Sequence, residues 1–225
     1  SMYANFGSQV TVVQNEDAFL PREDAEIAAA VLDSVEGRGI RVIRGAGVRR
    51  IDDEADQAVV TVEISGAEER LPADAVLVAT GRRPNVDGLN LEAAGVELTE
   101  RGAVRTDEHL RTTAPNIWAL GDVAGGLQFT YISLDDFRIV KDDLLGDGTR
   151  TTGNRGAVPY SVFLDPPFSR VGMTEQEARD AGFTVKLAEL PAAAIPKAQV
   201  LGKPVGLLKA VIDAALSIEG HVRGE

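Results

Sequence analysis

A chain of 225 residues, 44% apolar and 26% charged, has the balance of a water-soluble globular protein with room for one large domain or two small ones. Its net charge of −12 repels phosphate backbones and argues against nucleic acid as a partner. The absence of cysteine excludes disulfides, thiolate metal sites and thiol catalysis within these residues, and two distant histidines, His109 and His221, are too few for a zinc or iron site.

The opening residues lack the basic start of a secretory signal, and no apolar run reaches the roughly 18 residues that cross a bilayer. A cytoplasmic protein without a membrane partner is therefore expected. Met2 to Phe6 reads as the last turn of a helix stopped by Gly7, feeding a buried strand at Gln9 to Val13. Arg22-Glu23-Asp24 then opens a second helix whose apolar stripe is Ala25, Ile27, Ala28, Val31, Leu32 and Val35, ended by Gly37 and Gly39. Ile40 to Ile43 is the next strand, and strand–helix–strand order predicts an α/β fold with an open parallel sheet.

Residues 46 to 72 change character. Val48 to Ile51 and Val59 to Ile64, with a turn at Ser65-Gly66, predict an antiparallel meander. The apolar run 73–79 predicts a return to a buried strand, and Asn116 to Leu120 predicts another. A helix is expected from about Ser133 to Leu145, then a linker rich in Gly, Thr, Asp and Asn up to Gly156. Beyond Val158 strands are expected near Val162-Phe163 and 205–212. Between them Thr174 and Glu177 have the spacing of a capping box.

Two strand ends carry the chemistry: Ala79-Thr80-Gly81-Arg82-Arg83-Pro84-Asn85 and Asn116-Ile117-Trp118-Ala119-Leu120-Gly121-Asp122. Open α/β sheets bind ligands at the carboxyl ends of their strands, where a glycine lets backbone approach the ligand and an ionised Asp accepts hydrogen bonds from polyol hydroxyls. Either motif alone is an ordinary turn; the two in this order are far more specific.

Together they resemble the paired motifs of the pyridine nucleotide–disulfide oxidoreductases, the family of glutathione reductase, lipoamide dehydrogenase and mercuric reductase. Val158 to Phe163 and Val171 to Ala178 resemble the opening of that family's interface domain. Residues 18–24, 126–136 and 193–198 carry a narrower resemblance to bacterial reactive-chlorine resistance flavoenzymes, which reduce hypothiocyanous acid.

The resemblance implies partial Rossmann-like FAD- and NAD(P)-binding domains and the start of an α+β dimerisation domain. Residues 1–78 would be the C-terminal part of the nicotinamide nucleotide domain, 79–150 the FAD-binding return segment, 151–157 a linker and 158–225 an incomplete interface domain. It implies a homodimer using FAD and NAD(P)H. Asp122 would accept from the FAD ribityl chain, with Gly121 allowing close approach. Thr80 and Gly81 would line the passage between the two cofactors. Thr130 would present its backbone to the flavin at a helix start, whose positive end suits reduced flavin. Gln14, after the first strand, stands where such folds read the adenosine ribose; it is neutral and does not choose between NADH and NADPH, while Glu16 favours NADH. Both are equally well read as plain loop residues.

No catalytic residue is assigned, because the family's cysteine pair, its glycine-rich phosphate loops and its His–Glu pair have no counterpart in the sequence. The alternative is a non-catalytic fragment or interaction module. His109 reads as a surface residue, Trp118 as a core aromatic, and Lys197 and Lys203 as solvated. Asp135-Asp136 is given no acid–base role because adjacent helix positions diverge.

Overall fold

The computed structural model describes residues 1–215; His221 lies outside them. The chain forms two units, Ser1–Leu77 with Pro159–Glu225, and Val78–Val158.

The first unit opens with a short helix α1 (Met2–Asn5), stopped at Gly7, whose φ of 90° suits glycine. Strand β1 (Thr11–Val13), helix α2 (Ala25–Glu36) and strand β2 (Arg41–Ile43) follow in the expected order, and β1 and β2 pair in parallel, Thr11 opposite Arg41. Ala28 and Val35 of α2 are buried, with Ile40 and Ile43.

The meander has three strands, β3 (Ala46–Glu54), β4 (Gln57–Ile64) and β5 (Ala67–Ala73), with β4 central. Val59, Val60, Thr61 and Val62 are buried in succession, as a strand covered on both faces requires. The sequence reading missed β5, Ala-Glu-Glu-Arg-Leu-Pro-Ala, because it lacks β-branched residues. It is an edge strand, where Pro72 costs no ladder bond and charged side chains blunt the edge.

The expected buried strand at 73–79 does not form. β5 ends at Ala73, and Leu77 and Val78 are 75% and 64% exposed. Apolar composition makes a run suitable for a parallel sheet, but a strand also needs a neighbour, and among the described residues none pairs with 75–79.

The tail adds two antiparallel pairs: β6 (Tyr160–Val162) with β7 (Phe168–Arg170), and β8 (Val185–Pro191) with β9 (Leu207–Asp213). The regions expected near 162 and 205–212 correspond to β6 and β9; β7 and β8 were not anticipated. Helix α4 (Glu175–Asp180) carries the expected capping box, in which Thr174 accepts from the Glu177 N–H and Glu177 accepts from the Thr174 N–H. Helix α5 (Pro196–Val200) lies between β8 and β9.

Ionic contacts bind this tail to the start of α2. Lys209 on β9 has a side chain only 3% exposed, and its ammonium meets Asp24 at 3.1 Å, Glu175 at 3.0 Å and Glu26. Burial works against the charge on Lys209, yet its carboxylate hydrogen bonds prevail and hold its pKa above the lysine range. Nearby the Tyr160 hydroxyl donates to Glu23, and Arg170 lies 5.5 Å over the Tyr160 ring. Burial, then the bond to Glu23, pushes the Tyr160 pKa up to about 12.

The second unit has little regular structure. Val96, Val104, Ala114 and Ala119 form its core, backed by Val86, Leu91 and Val123. The strand expected at 116–120 is reduced to one bridge, Trp118 with Arg111, and Ile117 and Leu120 stay partly exposed. Its helix α3 (Thr130–Leu145) begins three residues before the expected start and buries Ile132 and Ile139.

Replacing Lys209 with Met leaves Asp24, Glu26 and Glu175 facing one another. We expect a loss of about 2 kcal/mol at pH 7, below the range for fully buried pairs because the glutamates keep some water. Glu26 is held below the usual carboxylate range chiefly by Lys209, and Glu175 by Arg179 and then Lys209. That stabilisation is complete above the unfolded glutamate value near about pH 4.3 and is lost as pH falls through the lowered values. Thermal melts from pH 7 to 3 should therefore show the gap between parent and variant closing on acidification.

Candidate cofactor-binding site

The site begins where the chain leaves Leu120, extended at φ −139°, and turns at Gly121, whose φ is 74°, into a single 3₁₀ turn, Gly121–Ala124. The Gly121 N–H donates to the Asp136 carboxylate on α3 at 2.8 Å. A Cβ on Gly121 would stand 2.9 Å from the Ser133 hydroxyl oxygen. Glycine is thus required both by backbone conformation and by seating on the helix.

The next residue, Asp122, keeps its side chain half exposed and faces Arg82 at 3.6 Å. This pair brings the two sequence motifs together. Thr80 and Gly81 are exposed, and Gly81, at φ 115°, has open space where a Cβ would be. Thr130 is the first residue of α3 and is exposed; Phe129 caps the helix with extended backbone and no side-chain bond. A helix of 16 residues presents its positive end at that point.

Gln14 belongs to the other unit, after β1. Its amide donates to the Glu16 and Ala18 carbonyls at 3.0 and 2.5 Å, and its backbone bridges Ile43 and Ala46. The side chain is thus committed to shaping its own loop, while Glu16 is exposed.

A family model described as pyridine nucleotide-disulphide oxidoreductase matches residues 1–136, more than half of the chain. The chain belongs to that family. The family's dimerisation domain matches residues 158–219. The probable pyridine nucleotide-disulfide oxidoreductase RclA of Escherichia coli (strain K12) is 50% identical over 95% of this chain and 47% of its own length. A mercuric reductase of Staphylococcus aureus is 37% identical over 100% of this chain and 41% of its own. Among solved structures, the Cu(II) complex of the HOCl-induced flavoprotein disulfide reductase RclA from Escherichia coli superposes with a TM-score of 0.88 at 50% identity, covering 96% of this chain and 48% of that one. LpdA from Mycobacterium tuberculosis gives 0.82 at 27% identity, covering 93% and 45%. The chain spans about half the length of the relatives it matches. Pyridine nucleotide-disulphide oxidoreductases use FAD and NAD(P)H.

The donor set suits the flavin cofactor of such an oxidoreductase. An accessible carboxylate on a glycine turn can accept from a polyol, and a long helix can offer N–H groups to an electron-rich ring edge.

Sequence reasoning undervalued Asp135 and Asp136. Both are buried, and they do converge: Arg155 donates from Nε to Asp135 at 2.8 Å and from its other arm to Asp136, while Arg150 reaches Asp135. The planar fork of one guanidinium spans two diverging side chains. The signal was two arginines in the glycine-rich run 146–157, which is bound to α3 through them. His109 also differs from its reading as a surface residue. It is 22% exposed, with Nδ1 3.8 Å from Asp143 and no hydrogen-bond partner for that atom. Asp143 is held below the usual carboxylate range by Arg111 first, and Trp118 also donates to it at 2.8 Å. Lys197 and Lys203 are exposed as expected.

Gly121→Ala should destabilise the second unit by about 1–3 kcal/mol, since φ stays positive and Ser133 must move. Urea unfolding with Gly126→Ala as control checks this, because at Gly126 an added Cβ meets nothing within 4 Å and φ is not positive.

Proposed function

We propose that this chain is part of a FAD-dependent oxidoreductase that passes electrons from NAD(P)H to a disulfide or a small oxidised molecule of the hypothiocyanous acid kind. The supporting observation is the Gly121-Asp122 turn, seated on α3 with its carboxylate half exposed and met by Arg82 of the other family motif. FAD, when bound, supplies the two-electron relay between nicotinamide and disulfide chemistry.

The residues of this chain bind and orient. Asp122 accepts from the ribityl hydroxyls, and Gly121 gives the backbone its close approach. Thr130 offers backbone N–H at the positive end of α3. Thr80 and Gly81 line the passage between flavin and nicotinamide. Gln14 holds the loop that meets the adenosine ribose, and the exposed Glu16 on that loop favours a free 2′-hydroxyl, hence NADH. Residues 1–78 would complete the nucleotide domain and 79–150 the FAD domain. Residues 151–157 connect them to the interface domain, 158–225, through which a cytoplasmic homodimer would assemble. The hypothiocyanous acid reading rests on the resemblance in residues 18–24, 126–136 and 193–198. With no cysteine among its 225 residues, the chain by itself would be catalytically silent, because thiol–disulfide exchange needs sulfur from outside it.

The coding sequence flanking this segment should continue in frame into two glycine-rich loops and a cysteine pair. In the flavoprotein so defined, Asp122→Ala should weaken FAD at least tenfold, about 1.4 kcal/mol. A start codon and ribosome site just before Met2, with no such motifs upstream, or unchanged FAD affinity in the variant, would overturn the proposal.

A further inference from the structure

Within the second unit two adjacent acids, Asp135 and Asp136, are buried, at 9% and 4% exposed, and the Arg155 side chain that joins them is 14% exposed. Buried ion clusters are poor sources of stability; apolar residues of the same volume often do as well. Their geometry suggests another job. Asp136 uses its two oxygens differently: Oδ1 takes the Arg155 guanidinium and Oδ2 takes the N–H of Gly121. Ser133, three residues earlier and so on the same face of α3, is the group that a Cβ on Gly121 would strike. One face of the helix thus holds the turn twice, by contact at Ser133 and by a charge-assisted hydrogen bond at Asp136.

We propose that Asp136 is a positioning residue for the flavin site, with Arg155 as the counter-ion that keeps its buried carboxylate charged and aimed. Asp136 fixes the Gly121-Asp122 turn relative to the start of the same helix, so the groups assigned to the ribityl chain and to the flavin ring keep one spacing. Asp135 acts through Arg155: by accepting its Nε and a bond from Arg150, it sets the guanidinium in the orientation that Asp136 meets. This inference rests on the reading of Gly121, Asp122 and Thr130 as flavin contacts, but the bracing itself can be tested without flavin.

The test is amide hydrogen exchange on the 225-residue chain carrying Asp136→Glu, which keeps the charge for Arg155 and displaces the acceptor by one methylene, and Asp136→Asn, which removes the charge. The Gly121 amide should exchange at least tenfold faster in both, while the amides of Thr99 and Ile139 stay within about twofold of the parent. Uniform acceleration, meaning a merely structural role, or an unchanged Gly121 amide in the folded Glu variant, overturns the proposal. In the FAD-loaded reductase that contains this segment, Asp136→Glu should raise the FAD dissociation constant about tenfold. If Asp122→Ala leaves FAD affinity untouched while Gly121 exchange still responds to Asp136, the flavin reading fails and the bracing stands.

Discussion

The ammonium of Lys209 is the contact on which the first unit depends. It joins β9 to Glu26, 183 residues earlier in the chain, and to Asp24 and Glu175. A lone lysine sealed from water would lose its proton, and three carboxylates gathered without a cation would repel one another; each makes the burial of the other tolerable. The Tyr160–Glu23 bond and Arg170, which reaches Glu23 at 3.5 Å and Glu177 at 3.4 Å, extend the same arrangement along the start of α2. The apolar surface of that helix is thereby held against one part of the tail in one register.

The second unit solves a different problem with related means. Its apolar core is small and it has no extended sheet among the described residues, so polar contacts carry much of the definition of its loops. Arg155 between Asp135 and Asp136, and Asp143 receiving Arg111 and Trp118, place charged hydrogen bonds in the middle of α3 and in its last turn. Such bonds are directional where hydrophobic contact is not, so they fix loop positions that a small apolar core would leave loose.

The sequence was most legible where periodicity and turn chemistry agreed. The parallel β1–α2–β2 unit, the central strand of the meander and the Thr174 capping box were all anticipated from local pattern. It was least legible where a strand depends on its neighbour. Residues 75–79 and 116–120 have apolar, β-branched composition and end at the family's motifs, yet neither forms a paired strand here, since backbone partners are a property of the surrounding sheet rather than of the run itself. β5 shows the converse, a charged strand made possible by the neighbour it lies against. The Asp135–Arg155–Asp136 arrangement was hidden because the acids and the arginine are separated by about twenty residues and helix geometry alone argues against their meeting.

The meander has a kinetic meaning as well. β3, β4 and β5 follow one another through tight turns at Ala55 and at Ser65-Gly66, both in left-handed backbone, so each pairing closes a loop of only a few residues. The β1–β2 pair must instead close over the whole of α2 and its flanking loops, and Lys209 must find its partners across most of the chain. Loop-closure entropy grows with the span to be closed, and hairpins form in microseconds. The three-stranded meander is therefore the natural early-forming element of the first unit, a preassembled platform on which the slow, long-range ionic contacts are the last to lock.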